Sequence, residues 1–595
     1  MIRRTLFLLS AVLALASCGK SPTSSTSQAS GIQDVPVQLE ATGPIDPIAV
    51  PTAQRGGTLT TWAGPYPKSL NCWLDYNDFS IAVSGLMFEP LLTMNSTTND
   101  PVGILASSWE ISPDKKTYTF HIDPRAKWSD GQPVTAEDVQ FYYDVMMNPK
   151  NLTSLFRVDL SRFSRPEVID EHTIRITAQQ PHWANFWSAG SMVGFPKHAW
   201  KDVDFNKQNF AFPVVSGPYK LGEVKTNRSV QLVRRGDWWG RAKRFNIGKY
   251  NFDYLVFKAV EDRDKVLELL KAGEIDLFPI YTAQIWMQKT DIPQVRKNWI
   301  IRQEIYNKEP IGFMAFALNL RRPLFQDLRV RQALALLLDR QLMNDKLMFN
   351  QYFLQNSYYP DLYPNNVNPA APELKFDADK ARALLAEAGW TPGPDGILQK
   401  NGQPFTFTIL DFDTTELRHL NIYLQALKSV GISAKIETIS MSTFMKRLDV
   451  QDFDVCPTNW GAVRLRDPEV MFSSKTADQT ASQNYPGVKD AEIDRLIELQ
   501  KTEMDPSKRD DILRQIDARL VAIQPYILLW NKDKHDLLYW NKFGMPQYVL
   551  DKYDHEDSAL TYWWYDPAKA AALAQAEKTN TALPPAPPKV IYSGE

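Results

Sequence analysis

Seven histidines, His121, His172, His182, His198, His419, His535 and His555, are scattered along the chain, and none falls into an H-E-x-x-H or paired Cys/His pattern. Metal chemistry needs several ligands at fixed spacing, so no metal centre is expected. No G-x-S-x-G turn presents a nucleophile, and no G-x-G-x-x-G cradles a dinucleotide, so no cofactor is expected either. Gly19-Lys20-Ser21 resembles the end of a phosphate loop but lacks the upstream glycine and a strand before it. Carboxylates are plentiful, and a hydrolytic carboxylate pair has no fixed sequence spacing, which keeps a secreted hydrolase open as the enzymatic alternative. The groups that stand out suit binding rather than bond breaking. They are Trp62 with Ala63 and Gly64, and Asn459-Trp460-Gly461 followed by Arg464 and Asp467. An indole desolvates a ligand, a glycine admits close approach of ligand main chain, and an arginine fork grips an anionic group.

Two strand–helix–strand units are expected to carry these residues. Tyr254–Lys258, Asp262–Ala272 and Ile275–Phe278 form the first, with Gly273 ending its helix. Phe405–Leu410, Glu416–Val430 and Ile432–Ile439 form the second, with Gly431 as the stop. Such units need parallel strands covered by helices. They lie far apart in the chain, so each is assigned to its own α/β lobe, and two such lobes make a cleft beyond the carboxyl ends of their strands. A strand over Phe453–Pro457 then brings Trp460 to the cleft, and a strand over Leu59–Thr61 brings Trp62 to the opposite wall. Elsewhere Trp109–Ile122 reads as a hairpin turning at Pro113–Lys116, and Thr135 with Asp138 forms a capping box. The helix after that box has Val139, Tyr142, Tyr143 and Met146 on one face. Val330, Ala333, Leu334 and Leu337, and Ala381, Leu384, Leu385 and Ala388, are helical core stripes.

The first residues read as an address. Arg3-Arg4 precede a short apolar run, and Leu15-Ala16-Ser17-Cys18 matches a bacterial lipobox, which predicts a signal peptide over 1–17 and lipidation of Cys18. Residues 18–55, rich in Ser, Thr, Pro and Ala, read as a disordered tether of ~30 Å root-mean-square span. Cys72 and Cys456 are expected as free, buried thiols, with pairing as the alternative. The chain has 595 residues and a net charge of −2, which calls for several lobes and excludes a broad nucleic-acid footprint.

Leu105–Asn148, LASSWEISPDKKTYTFHIDPRAKWSDGQPVTAEDVQFYYDVMMN, resembles the signature of family 5 of the bacterial extracellular solute-binding proteins. Four further blocks follow in the family's order: Ser216–Tyr219, Arg234–Gly240, Asp327–Leu334 and Phe376–Trp390. Lys249–Asp253, Lys271–Glu274 and Tyr539–Gly544 resemble the branch with the microcin C and oligopeptide-binding components. The resemblance implies a periplasmic-binding-protein-like α/β fold of the class II, cluster C type: two α/β lobes around a ligand cleft plus an inserted α+β lobe. The expected division is lobe I over 56–87, 200–305 and 525–565, lobe II over 88–199, lobe III over 306–524 and a C-terminal tail over 566–595. It further implies a monomeric lipoprotein held at the membrane outside the cytoplasm. Such a protein captures an oligopeptide or peptide-like ligand and delivers it to the permease subunits of an ABC importer. Oligosaccharides, metal complexes and haem are the alternative ligands of similar proteins.

One position departs from the pattern. In peptide-binding relatives an Asp three residues before the Asp-Pro that follows the pocket Trp pairs with the ligand's ammonium. Here Asp467-Pro468 is present, but Arg464 stands in that place, and Arg466 is adjacent to Asp467. An arginine there favours an anionic or blocked ligand terminus. The competing expectation points both arginines at solvent, or at Asp467 and Glu469.

Overall fold

The computed structural model describes residues 31–413 and 416–593. The expected signal peptide and the expected lipidation site, Cys18, lie outside them. Three sheets set the architecture. In the largest, eight strands run in the order Lys589–Ile591, Ile300–Tyr306, His535–Trp540, Leu277–Pro279, Thr58–Trp62, Tyr254–Lys258, Ser229–Arg234, Tyr219–Lys225. The first strand, Thr58–Trp62, lies between the two strands of the first strand–helix–strand unit and parallel to both. The linking helix is Arg263–Lys271, capped by Asp262, whose carboxylate accepts from Asp264 and Lys265 N–H. Gly273 follows at φ 72°, where a side chain would be strained.

The second sheet has five strands, in the order Ser433–Thr438, Thr406–Asp411, Val455–Trp460, Phe313–Leu318, Tyr526–Leu528. Its parallel pair, Thr406–Asp411 and Ser433–Thr438, flanks the helix Leu417–Ser429 in sequence as expected. The strand leading to Trp460 begins two residues later than the sequence reading and runs through Trp460 itself, because its whole length pairs with Phe313–Leu318. The third sheet is antiparallel and belongs to the inserted lobe. It holds the expected hairpin, Ala106–Ile111 with Thr117–Ile122, beside Thr173–Thr177 and Glu167–Asp170. The helix Ala136–Met147 buries Val139, Tyr142, Tyr143 and Met146, and its capping box is formed by Thr135 and Asp138.

Three expectations need correction. The tether does not extend to residue 55. From Gly31 the chain lies against lobe I, with Val35 N–H on Gly236 O at 2.9 Å and Glu40 N–H on Ala242 O at 2.9 Å. Asp34 pairs with Arg234 at 2.5 Å, and the buried Asp46 pairs with Lys249 at 2.5 Å and accepts the Tyr562 hydroxyl at 2.8 Å. These bonds offset an ordering cost that composition alone suggested was prohibitive. The tail is not separate either. The helix Pro567–Thr579 is followed by Lys589–Ile591, which adds a parallel edge strand to Ile300–Tyr306. Finally, lobe III continues past residue 524, because Tyr526–Leu528 pairs with Phe313–Leu318.

The chain therefore crosses between the two large sheets twice, over 307–312 and over 532–534. Lobes I and II share one continuous apolar core running from Leu59 to Trp563, whereas the two faces of the lobe III sheet have cores of their own. Cys72 and Cys456 are both free, and burial pushes both thiols above the usual range. No helix among the described residues is long and apolar enough to cross a membrane.

Candidate functional site

The first strand ends at Trp62, at the edge of a cavity of about 850 Å³ between lobes I and III. Trp62 is held in place from behind: its Nε1–H donates to Val260 O at 2.7 Å, and its ring meets Phe278 edge-on at 5.6 Å. Ala63 and Gly64 continue the wall, and Gly64 has φ 73° with open space where a Cβ would stand. The helix Asp78–Met87, capped by Asn77, supplies a second wall, and the segment His555–Asp557 a third. Met441, the first residue of the lobe III helix Met441–Asp449, closes the far side. A second cavity, of about 470 Å³, shares the Asp78–Met87 helix and the 551–562 segment as walls and reaches Glu89 and Arg464.

Negative charge dominates this wall. In the run Asp551-Lys552-Tyr553-Asp554-His555-Glu556-Asp557, four carboxylates fall within seven residues. Burial, with His555 opposing and Glu556 and Asp554 adding, raises the Asp557 carboxyl to about 7. Burial and the neighbouring Asp554 raise Asp551 to about 7 as well. Burial alone would lower the His555 imidazole, but Glu556, Asp557 and Asp554 outweigh it and lift it to about 9. Glu556 is nine-tenths buried and accepts the Tyr281 hydroxyl. Glu89 takes the indole N–H groups of Trp238 and Trp239 at 3.1 and 3.0 Å, and burial raises it to about 7.

The two tryptophans named from the sequence do not share this cavity. Trp460 packs on Tyr485 at 5.1 Å and on the lobe III core, and neither it nor Asn459 or Gly461 lines either cavity. The reason is the longer strand: Trp460 pairs with Phe313 inside the sheet instead of standing on a loop beyond it. Arg464 does lie at the interlobe boundary, where its neighbours are an amide, a ring and a more distant carboxylate. Its Nη1–H donates to Asn99 at 3.0 Å in lobe II, its guanidinium stands 5.3 Å from the Tyr553 ring, and it attracts Asp551. Arg466 pairs with Asp361. The expectation that both arginines face solvent, Asp467 or Glu469 is not met: Arg466 meets Asp361, and Arg464 stands beside Asn99 and Tyr553.

Asp467 joins lobe III to lobe II. Its Oδ2 lies 3.6 Å from Arg162 and 3.5 Å from His182 Nε2, and its Oδ1 accepts from Gln500 at 3.3 Å. Beside it Trp183 of lobe II donates Nε1–H to Gln500 Oε1 at 2.7 Å, Trp183 N–H donates to Lys501 O at 3.0 Å, and Arg509 covers the indole at 4.4 Å. These contacts clasp lobe III to lobe II, in addition to the Arg464–Asn99 hydrogen bond. His182, Asp467 and Glu469 come close enough to be considered as metal ligands. The hydrogen bonding argues against it. Ala184 N–H donates to His182 Nδ1 at 3.0 Å, so neutral His182 keeps its proton on Nε2, the nitrogen facing Asp467. Lys501 pairs with Glu469 at 2.5 Å. Burial, then Arg162, lowers the imidazole to about 4. The set is a clasp in which Arg162 and Lys501 face Asp467 and Glu469, while His182 Nε2, Asp467 Oδ2 and Arg162 Nη1 make no hydrogen bond among the described residues.

Sequence reasoning missed Tyr281, Glu556, Asp557, Trp183 and Gln500. The acidic run at 551–557 was a visible signal, but its position beside Trp62 depends on contacts across hundreds of residues.

The chain matches the model for bacterial extracellular solute-binding proteins, family 5, over residues 100–482, more than half its length. It is 28% identical over 568 residues to the uncharacterised protein YejA of Escherichia coli, covering 89% of this chain and 92% of that protein. Among solved structures, it is similar to the oligopeptide-binding protein AppA of Bacillus subtilis in complex with a nonapeptide. That match has a TM-score of 0.71 and 22% identity, covering 86% of this chain and 100% of that one. NikZ of Campylobacter jejuni in complex with Ni(L-His) matches with a TM-score of 0.66 and 23% identity, covering 83% and 96%. These likenesses agree with the lobed α/β architecture described above, and the chain belongs to the bacterial extracellular solute-binding proteins, family 5.

Proposed function

We propose that this protein captures an oligopeptide or peptide-like ligand between lobes I and III and delivers it to the permease of an ABC importer. The observation that carries the reading is the interlobe cavity of about 850 Å³, walled by Trp62, Ala63 and Gly64 at the carboxyl end of a parallel strand. Ligands of open α/β sheets bind at that edge. AppA, with its nonapeptide, supports a peptide; NikZ, with Ni(L-His), keeps a small metal complex as the competing ligand. The role is binding without catalysis, by a monomer anchored outside the cytoplasm through Cys18.

Native mass spectrometry of the protein purified from its own cells tests the ligand. A stoichiometric peptide is expected, together with a more compact particle by X-ray scattering than the ligand-stripped protein gives. A bound sugar or metal chelate would replace the peptide reading. Cys18→Ala should move the protein from the membrane pellet to the soluble fraction, since acyl chains supply the attachment; continued pelleting would refute the anchor.

A further inference from the structure

The reading of the cleft as a ligand site leaves open what its charge selects. Five carboxylates line the larger cavity, Asp75, Asp78, Glu261, Glu556 and Asp557, against Lys68, Arg263 and His555. Glu556 is the decisive one. It is nine-tenths buried, its hydrogen bond comes from the neutral Tyr281 hydroxyl, and among the described residues no lysine or arginine pairs with it. The cationic group beside it, His555, is shared with Asp554 and Asp557, and buried carboxylates in excess of their counter-ions are costly unless a further cation joins them. Next to it, Asp557 lies 4.0 Å from that same His555. The rings of Trp62 and Tyr281 line the same space, and such faces attract diffuse organic cations.

The molecule contains its own precedent one turn of chain away. Arg464 reaches from lobe III to the 551–557 segment and places its guanidinium near the Tyr553 ring, attracted to Asp551. A bare divalent ion fits less well. Among the described residues the cavity carboxylates are not gathered to metal-ligand distance.

Resting on the binding role proposed above, we infer that the lobe I wall of the cleft recognises an ammonium or guanidinium group of the ligand. Glu556 and Asp557 are its counter-ions, and Trp62 and Tyr281 its aromatic flank.

The test uses three tetrapeptide libraries and the ligand-stripped full-length protein, read by native mass spectrometry and titration calorimetry. One library lacks Lys, Arg and His and has free amino termini; the second is the same library N-acetylated; the third is N-acetylated but contains lysine. Retention of the first and third with at least ten-fold weaker retention of the second is expected. Equal retention of all three overturns the charge inference and leaves the peptide-binding reading standing. Retention of none refutes the peptide reading and this inference with it. Glu556→Gln and Asp557→Asn keep the side-chain shapes. Each should weaken the free-amine library about ten- to a hundred-fold, as loss of a charge-assisted bond does, with melting temperature kept. If both variants bind it as tightly as the wild type, these carboxylates are not the counter-ions.

Discussion

Replacing Trp183 should open the cleft without unfolding either lobe. Trp183 is buried, yet it belongs to none of the continuous apolar cores and is held by lobe III groups. Trp183→Phe keeps a ring for Arg509 but removes the Nε1–H that Gln500 accepts at 2.7 Å. Gln500 is fully buried in the clasped arrangement, so its carbonyl would lose its partner there, at a cost of about 1–3 kcal/mol. When the lobes part, water satisfies the same carbonyl. The penalty therefore falls on the closed form alone and lowers the closed-to-open ratio by about 5- to 140-fold. Trp183→Ala adds the loss of the ring under Arg509, a further ~0.5–2 kcal/mol. X-ray scattering of the ligand-free variants should give a larger radius of gyration, in the order alanine above phenylalanine above wild type. Thermal melts should change little. A Trp183→Ala protein as compact as the wild type but much less stable would show that the indole is ordinary core and that the clasp does not set the lobe equilibrium.

Arg464→Asp places a carboxylate opposite Asp551 and should expand the particle and weaken ligand capture; no change in either would place the arginine in solvent. Trp460→Ala should cost lobe III roughly 2–4 kcal/mol in denaturant melts, because the indole packs on Tyr485 and the core, whereas Trp62→Ala should cost ligand affinity instead. If Trp460→Ala lost only affinity, the indole would have to face the ligand. Taken together, the shifted groups should make the protein more stable near pH 5 than near pH 8. Asp551 and Asp557, raised to about 7, give stability that is lost as pH rises from about 4 towards 7, and His555, raised to about 9, gives stability lost as pH climbs through 9. His182, lowered to about 4, acts in the opposite sense and costs stability as pH falls from about 6.5 towards 4. A melting temperature that rises steadily from pH 6 to pH 9 would contradict this balance.

Local patterns were readable wherever the deciding interaction is local. The hairpin ending at Ile122, the Thr135–Asp138 capping box and both strand–helix–strand units follow from periodicity and stop residues within about 30 positions. Trp62 was placed on the cleft for the same reason, since it ends a strand whose neighbours were recognisable. Other features depend on partners far along the chain. Asp34 is ordered by Arg234, 200 residues later, and Asp46 by Lys249 and Tyr562. Lys589–Ile591 becomes a strand only because Ile300–Tyr306 offers an open edge. Trp460 was drawn into the sheet by Phe313, and Arg464 was claimed by Asn99 and Tyr553. The types of the residues were fixed by the sequence alone, but the charge of the cleft was decided by tertiary structure. Folding sets the 551–557 run against the end of the first strand, and an ion pair or its absence is a property of neighbours in space rather than in sequence.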